Sequence, residues 1–184
     1  MFQNKNNLDM EILLVLIKDK THLREIARLI KESPSTVLRK LNELIKENIL
    51  DFKIEGKNKV FFIKNNLQAK NYVYGAERYK LNKLIKKYSP LSVILDSVIN
   101  NSESSLVILF GSYSKFIAKK DSDIDIYLET ENKKEKDEVE CINSSINVKV
   151  GKFDVNSLLI KEIIKNHVIL KGVEEFYERI KFFE

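Results

Sequence analysis

Residues 109–127 read LFGSYSKFIAKKDSDIDIY, and this stretch decides how the second half of the chain folds. Its first residues close an apolar run, Leu106–Phe110, which is typical of a buried strand. Gly111 and Ser112 then mark a turn, and ten residues separate them from the run Asp123–Leu128. In that run acidic and apolar residues alternate, which is the period of a strand with one buried face. We therefore expect two strands joined by a glycine turn and a loop.

The residue types in this stretch suit phosphate and metal binding. At Gly111 the backbone N–H groups can approach phosphate oxygens without a Cβ in the way, and Ser112 and Lys115 add a hydroxyl and a positive charge. Asp123 and Asp125 are two residues apart, so both carboxylates project from one face of a strand. That spacing serves to hold one Mg²⁺ or to bridge two ions about 4 Å apart.

The combination resembles the signature of the polymerase-beta-type nucleotidyltransferase superfamily, in particular its minimal forms, over residues 91–182. The resemblance implies a nucleoside triphosphate (NTP) substrate whose β- and γ-phosphates are held by Gly111 and Ser112, with Lys115 adding charge. It also implies that Asp123 and Asp125 bind Mg²⁺ or Mn²⁺ and take part in catalysis.

Two departures from the family pattern bear on activity. Minimal members often carry a small residue, arginine and glycine shortly after Gly-Ser, whereas residues 114–116 here are Ser, Lys and Phe. The family also places a third carboxylate on a later strand, and the strand Ile146–Val150 has Asn147 at that position. Asn147, our third candidate catalytic residue, offers a carbonyl oxygen but neither a negative charge nor a basic site. Glu140 and Asp154 are the possible substitutes.

Lys149 shares the face of Asn147 on the predicted strand. Its charge can partly replace that of a second metal ion, or it can form an ion pair with the aspartates that silences the site. The residues alone leave both alternatives open.

The N-terminal segment follows the order helix, helix, helix and hairpin. Apolar residues recur on the helical period in Leu8–Lys18, after Thr21, which we expect to cap the second helix, and after Ser33, which begins the third. Two β-prone runs between residues 49 and 64 flank a turn that contains glycine.

This order resembles a winged helix-turn-helix domain over residues 8–65, with the third helix as recognition helix and the hairpin as wing. The resemblance implies a double-stranded DNA partner. The residues expected to face the major groove are Ser35, Thr36, Arg39 and Lys40, and the wing lysines expected at phosphates are Lys57 and Lys59. A helical module for protein contacts or dimerisation is the alternative reading of the same pattern.

We therefore divide the chain into a winged helix-turn-helix domain at residues 1–66, connecting helices at 67–104 and a nucleotidyltransferase domain at 105–184. Between the last two of its three main strands, Lys133–Cys141 is expected to be a solvated helix. The predicted fold class is α+β, a winged helix-turn-helix followed by a small polymerase-beta-like mixed sheet flanked by helices.

Composition narrows the function classes. The chain has 184 residues, 43% of them hydrophobic, which is enough for a core, and its net charge is +5. Residues 1–66 hold 13 Lys/Arg against 9 Asp/Glu, which favours a polyanionic partner for that part. Cys141 is the single cysteine, so an internal disulfide and a multi-thiolate metal site are excluded. We expect Cys141 and His167 to be structural, and the absence of a leader pattern or a long apolar run to indicate a cytoplasmic protein without membrane contact.

Two functions follow from these expectations. The first is a Mg²⁺-dependent nucleotidyltransferase that moves a nucleoside monophosphate from an NTP such as ATP to an acceptor hydroxyl, coupled to a DNA-binding winged helix. Minimal nucleotidyltransferases often modify a protein, including within toxin–antitoxin pairs, so the resemblance permits a protein acceptor. The second is a winged-helix transcriptional regulator whose nucleotidyltransferase domain is weak or inactive and senses nucleotide. A homodimer is compatible with both.

Overall fold

The computed structural model describes residues 7–184, which form two compact units. The first unit holds the described residues up to Ala76 together with Phe183 and Glu184, and the second holds Glu77–Phe182. Residues 1–6 lie outside the described residues. They include the start of the predicted first domain and of the segment in which a leader pattern was expected to be absent. None of the helices within residues 7–184 is long and apolar enough to cross a membrane.

The first unit consists of helices and one small antiparallel sheet of strand order β1-β3-β2. Its elements are α1 (Leu8–Lys18), β1 (Thr21–His22), α2 (Leu23–Ile30), α3 (Pro34–Lys46), β2 (Leu50–Glu55), β3 (Asn58–Ile63) and the first part of α4 (Leu67–Lys87). Its core is formed by apolar side chains of the three helices and the hairpin, among them Ile12, Leu13, Ile26, Leu41 and Phe61. The three helices and the hairpin are thus present where the periodicity predicted them, while the winged-helix identity stays a prediction.

The predicted cap at the start of α3 is present, whereas the predicted cap of α2 is not. Ser33 caps α3, since its hydroxyl accepts the backbone N–H of Thr36 at 3.2 Å, and Pro34 takes the first helical position. The expectation that Thr21 caps α2 is wrong. His22 is the cap, because its Nδ1 accepts the backbone N–H of Glu25 at 3.2 Å, whereas Thr21 pairs with Phe61 of β3 in the sheet.

The second unit surrounds a four-stranded sheet of order β6-β5-β4-β7. After the end of α4 its elements are α5 (Leu91–Asn101), β4 (Val107–Leu109), α6 (Gly111–Ser114), β5 (Ile124–Leu128), α7 (Lys133–Glu140), β6 (Ile146–Val150), α8 (Leu158–Lys165), β7 (Val168–Lys171) and α9 (Val173–Arg179). β5 and β6 are parallel, and β4 is antiparallel to both β5 and β7. A mixed sheet flanked by helices confirms the predicted α+β class.

The core of the second unit lies against this sheet. Ile124, Ile126 and Leu128 of β5 are buried, as the alternating pattern predicted. The helix predicted at Lys133–Cys141 is present as α7, but it is not solvated all round. Glu135 is only 4% exposed and accepts the Ser102 hydroxyl at 2.8 Å and the Ser104 N–H at 2.9 Å. Because a buried carboxylate is tolerated when donors satisfy it, a segment read as uniformly charged can still pack one face.

Candidate active site

The glycine turn and the acidic strand meet at one corner of the mixed sheet. β4 ends at Leu109, and the backbone N–H of Phe110 donates to the carbonyl of Asp125 at 2.9 Å. Gly111 then takes a φ of +69°, in the left-handed region, and opens α6. A Cβ on Gly111 would overlap Oδ2 of Asp125 and lie 3.0 Å from its Cγ. Glycine is therefore what allows the turn to lie directly against this carboxylate.

Asp125 is the half-buried member of the predicted metal pair, and Asn147 fixes one of its oxygens. The parallel register of β5 and β6 makes the two residues Cα partners, and Asn147 Nδ2 donates to Asp125 Oδ1 at 3.0 Å. Asp123 is exposed and lies immediately before β5.

Electrostatics couple the two aspartates. Burial raises the pKa of Asp125, and the Asp123 charge raises it further, against the lowering effect of the Asn147 hydrogen bond and the Lys149 charge. The two carboxylates therefore repel each other at this corner, and a bound cation would relieve that repulsion.

The corner receives no third acid from β6. Asn147 occupies the position opposite Asp125. Glu140 accepts a backbone N–H of β6 at 3.0 Å and Asp154 accepts one within its own loop at 2.9 Å, so both suggested substitutes serve local structure. Within residues 7–184, no group of three or more His, Cys, Asp or Glu side chains is arranged to hold a metal ion. The candidate metal ligands of the corner therefore stay the two predicted ones, Asp123 and Asp125.

The three residues predicted to bind nucleotide lie in and directly after the turn. Gly111 and Ser112 belong to α6, and Lys115 follows it. Lys115 Nζ pairs with Glu162 Oε1 of α8 at 3.0 Å, and 35% and 52% of the two side chains are exposed. An ion pair this open to solvent is worth at most about 1 kcal/mol, so a phosphate group can displace Glu162 from Lys115.

The loop after the turn shows how the chain accommodates its departure from the family pattern. Phe116 adopts a φ of +60°, the left-handed region that favours glycine, at the position where the resemblance leads one to expect glycine. Its side chain packs against the core of the second unit. Ser114 is buried, and its hydroxyl lies 2.9 Å from the carbonyl oxygen of Gly111 and 3.1 Å from that of Asn166. Packing and these hydrogen bonds offset the backbone strain.

Glu162 is a neighbour of the corner that no sequence motif marks. This residue pairs with Lys115 across 47 positions of the chain, and its charge also raises the pKa of Asp125. The amphipathic pattern of α8 predicts which residues point outward, but it does not predict which loop an exposed glutamate will face.

Glu77 is a second residue that the sequence pattern did not single out, and it lies beside buried His167. His167 Nδ1 lies 2.9 Å from the Ile163 carbonyl, which requires a proton on Nδ1, and its Nε2 lies 3.4 Å from Glu77 Oε1. The Tyr177 hydroxyl donates to the same oxygen at 3.0 Å, and Lys80 Nζ is 3.4 Å from Glu77 Oε2. The contacts of His167 are structural, and Cys141 is exposed.

The Glu77 carboxylate is kept ionised by these neighbours. Burial raises the pKa of Glu77, but His167, Lys80 and Tyr177 outweigh burial and bring it to about 2. Burial also lowers the pKa of His167, so a charged imidazole contributes less to lowering the pKa of Glu77. The carboxylate form of Glu77 is still favoured, because Lys80 and Tyr177 interact with it whether or not His167 is charged.

The six residues predicted to contact DNA all lie in the first unit, and most already have partners there. The hydroxyls of Ser35 and Thr36 lie 3.0 and 2.8 Å from that of Ser33 at the start of α3. Arg39 and Lys40 both pair with Glu43 at 2.8 Å.

The remaining cations of this set differ in how accessible they are. Arg39 is 68% exposed, whereas Lys40 is 22% exposed and also lies 3.5 Å from Asp9. Lys59 Nζ sits 4.0 Å from the centre of the Phe52 ring, and Lys57 lies in the turn of the hairpin. Of the two α3 cations, Arg39 is therefore the better placed to reach an external anion.

Comparison with known proteins gives one result for this chain. Residues 92–181 match the family model described as Polymerase beta, Nucleotidyltransferase. The match covers the glycine turn, both aspartates and Asn147, so it supports a nucleotidyltransferase domain in the second unit. No curated protein and no solved structure matches the chain.

Nucleotidyltransferase domains typically use divalent cations, and the two carboxylates at the corner can be compared with what such a cation requires. Mg²⁺ binds through one or two carboxylates together with substrate phosphates and water. Asp123 and Asp125, which repel each other beside a turn suited to phosphate, meet that requirement. The residues present therefore fit a divalent cation that binds together with a nucleotide.

Proposed function

We propose that the corner formed by Gly111, Ser112, Asp123 and Asp125 binds an NTP and transfers its nucleoside monophosphate to an acceptor hydroxyl. The observation that best supports this is the packing of the Gly111 turn against the Asp125 carboxylate, where a Cβ would overlap Oδ2. Because of this contact, the group that holds phosphate and the group that holds the cation are built as one unit. The family match over residues 92–181 covers the same corner.

The reaction requires little covalent chemistry from the protein. The acceptor oxygen forms a bond to the α-phosphorus, the bond from that phosphorus to the pyrophosphate oxygen breaks, and the electron pair leaves with pyrophosphate. The hydroxyl proton passes to water, since Asn147 has no basic site to accept it. Catalysis then rests on positioning and on stabilising negative charge.

Each residue at the corner has a part in that positioning. The turn at Gly111 and Ser112 holds the terminal phosphates, and Lys115 exchanges its pair with Glu162 for a phosphate oxygen. Mg²⁺ or Mn²⁺, held by Asp123 and Asp125, would supply positive charge that stabilises the triphosphate and the leaving pyrophosphate. Asn147 holds the carboxylate of Asp125 in place through its 3.0 Å hydrogen bond.

The test is transfer of label from NTPs carrying ³²P at the α or the γ position, in Mg²⁺, with the protein alone and with cell extract. We expect α-label to become attached to an acceptor, γ-label to leave as pyrophosphate, and Asp123→Asn to abolish the transfer. Glu131→Gln, which changes an exposed carboxylate in the same unit, is the control and should leave labelling unchanged.

The outcomes separate the two functions named above. A labelled polypeptide would identify a protein acceptor and open the way to testing a toxin–antitoxin partner. Attachment of γ-label, or equal labelling by Asp123→Asn, would contradict the proposal. Nucleotide bound without any label transferred would favour the nucleotide-sensing regulator.

For the first unit we propose binding to double-stranded DNA through α3 and the hairpin. The observation in favour is the exposure of the Arg39 side chain. Its surface ion pair with Glu43 is weak, so Arg39 can exchange Glu43 for a DNA phosphate. Lys40 is expected to contribute less, because Asp9 and Glu43 both engage it and 22% of its side chain is exposed. The change in DNA affinity on removing Glu43, described below, tests this assignment.

A further inference from the structure

The contacts of the Asp125 carboxylate limit the number of cations that the corner can hold. Asp125 Oδ1 accepts the amide N–H of Asn147 at 3.0 Å. Asp125 Oδ2 packs against the Cα of Gly111, where even a methyl group would overlap it. A carboxylate that bridges two cations must direct an oxygen at each of them. Here Oδ1 keeps one lone pair beside the Asn147 hydrogen bond, enough to contact one cation, and Oδ2 lies against the turn.

The residue beside Asp125 on β6 also works against a second cation. Asn147 presents its N–H₂ to the carboxylate, so its donor side, and not its oxygen, faces Asp125. A second cation would need protein ligands of its own, and no group of three or more His, Cys, Asp or Glu side chains within residues 7–184 is arranged to supply them. The donor set therefore matches one divalent cation and falls short of two.

Lys149 adds positive charge to the same corner. It lies two residues beyond Asn147 on β6, is exposed, and its charge stabilises the ionised form of Asp125. A lysine ammonium near two carboxylates disfavours a second cation and can itself attract a phosphate oxygen.

We propose that this corner takes one divalent cation with its nucleotide, and that Lys149 supplies the charge that a second cation would otherwise bring. The inference rests on the proposed function, since it presupposes that an NTP binds here. It assigns Asn147 as the positioning residue that keeps the Asp125 carboxylate in its single-cation arrangement.

The test is equilibrium dialysis of the full chain against a non-hydrolysable NTP analogue and Mn²⁺, with retained nucleotide and retained Mn²⁺ measured together. Electron paramagnetic resonance of the retained Mn²⁺ gives a second readout, because two ions about 4 Å apart couple and a lone ion does not. The expected result is one retained nucleotide with one uncoupled Mn²⁺. Two Mn²⁺ per nucleotide would overturn the inference while supporting the proposed function, and absence of retained nucleotide would overturn both.

Two variants sharpen the test. Asn147→Asp replaces the amide donor by a carboxylate, and we expect it to raise the count from one Mn²⁺ per nucleotide to two, with a coupled spectrum. Asn156→Asp makes the same change on an exposed loop of the same unit and should leave the count at one. An unchanged count in a folded Asn147→Asp variant would overturn the role given to Asn147, and the count for the unmodified chain decides the question even if that variant does not fold.

Discussion

Two glutamates, Glu77 in the second unit and Glu43 in the first, each bind more than one cationic or donor group, but they do so in opposite environments. The Glu77 side chain has no exposed surface and meets His167, Lys80 and Tyr177. The Glu43 side chain is 39% exposed and meets Arg39 and Lys40. The buried pairing serves stability, because leaving a partner unmatched inside a protein is costly, whereas the exposed pairing can be exchanged for another anion.

The same contrast separates the two candidate sites. The Gly111–Asp125 corner is set by sheet register and by a contact that tolerates only glycine. The charges of α3 are set by helix periodicity alone, and their side chains neutralise one another on the surface. Substitution of Gly111 should therefore change stability as well as binding, and substitutions on α3 should change binding alone.

The largest effect is expected for Gly111→Ala. The new Cβ would overlap Asp125 Oδ2 at a residue with φ of +69°, so we expect the free energy of unfolding of the second unit to fall by more than about 3 kcal/mol. Urea unfolding followed by circular dichroism measures it. Adding Asp125→Ala should recover part of the loss, because the overlapping carboxylate is then gone.

Gly151→Ala is the matched control for that experiment. Gly151 has a φ of +151° in the same unit, but a Cβ there would have no heavy atom within 4 Å. Gly151→Ala should lower the free energy of unfolding only through backbone strain, by about 1–2 kcal/mol. Equal losses for the two variants would show that contact with Asp125 does not shape the turn.

Glu77→Gln is expected to have the next largest effect, mainly on the pH dependence of stability. The pKa of Glu77 is about 2 in the folded chain against an ordinary value of 4.5, so its stabilisation is complete above pH 4.5 and is lost as pH falls towards 2. We expect the variant to lose on the order of 3 kcal/mol at pH 7 and to respond less to acid between pH 5 and 3. Thermal unfolding across that range measures both. Exposed Glu178→Gln is the control, and a wild-type-like acid response of Glu77→Gln would contradict the assigned role.

The smallest effect is expected for Glu43→Gln, and it concerns DNA affinity. Removing this carboxylate takes away the Glu43 partner of Arg39 and one of the two acidic partners of Lys40, so affinity for duplex DNA should rise several-fold with a steeper dependence on salt, while Arg39→Gln should lower it. Fluorescence anisotropy at several salt concentrations measures the change. Lys133→Gln, on α7 of the second unit, is the control. If neither α3 variant shifts affinity, α3 does not contact DNA.

Local patterns predicted much of the fold. The 3.6-residue period located the helices, the alternation at residues 123–128 located β5 and its buried face, and Ser33 with Pro34 located the start of α3. The wrong prediction concerns a residue whose local structure is decided by a partner far away in the sequence. Thr21 has the chemistry of a cap, but pairing with Phe61, forty residues away, draws it into a strand.

The candidate site shows the same division. Its acids and its glycine could be chosen from their spacing, since chemistry restricts which residues serve there. The hydrogen bond from Asn147 to Asp125 depends on strand register, and the pairing of Lys115 with Glu162 depends on how α8 packs. Neither is encoded in any window of neighbouring residues, because register and packing are settled by the whole core.

The most direct test of the central claim, that the Gly111–Asp125 corner is a nucleotide site, is titration of the protein with a fluorescent NTP in the presence of Mg²⁺. We predict saturable binding that weakens at least about tenfold in Asp123→Asn and in Asp125→Asn, because each loses a charge that holds the cation. Asp154→Asn, which makes the same acid-to-amide change on an exposed loop, should bind like the unmodified chain. Equal affinity of all four proteins would contradict the claim.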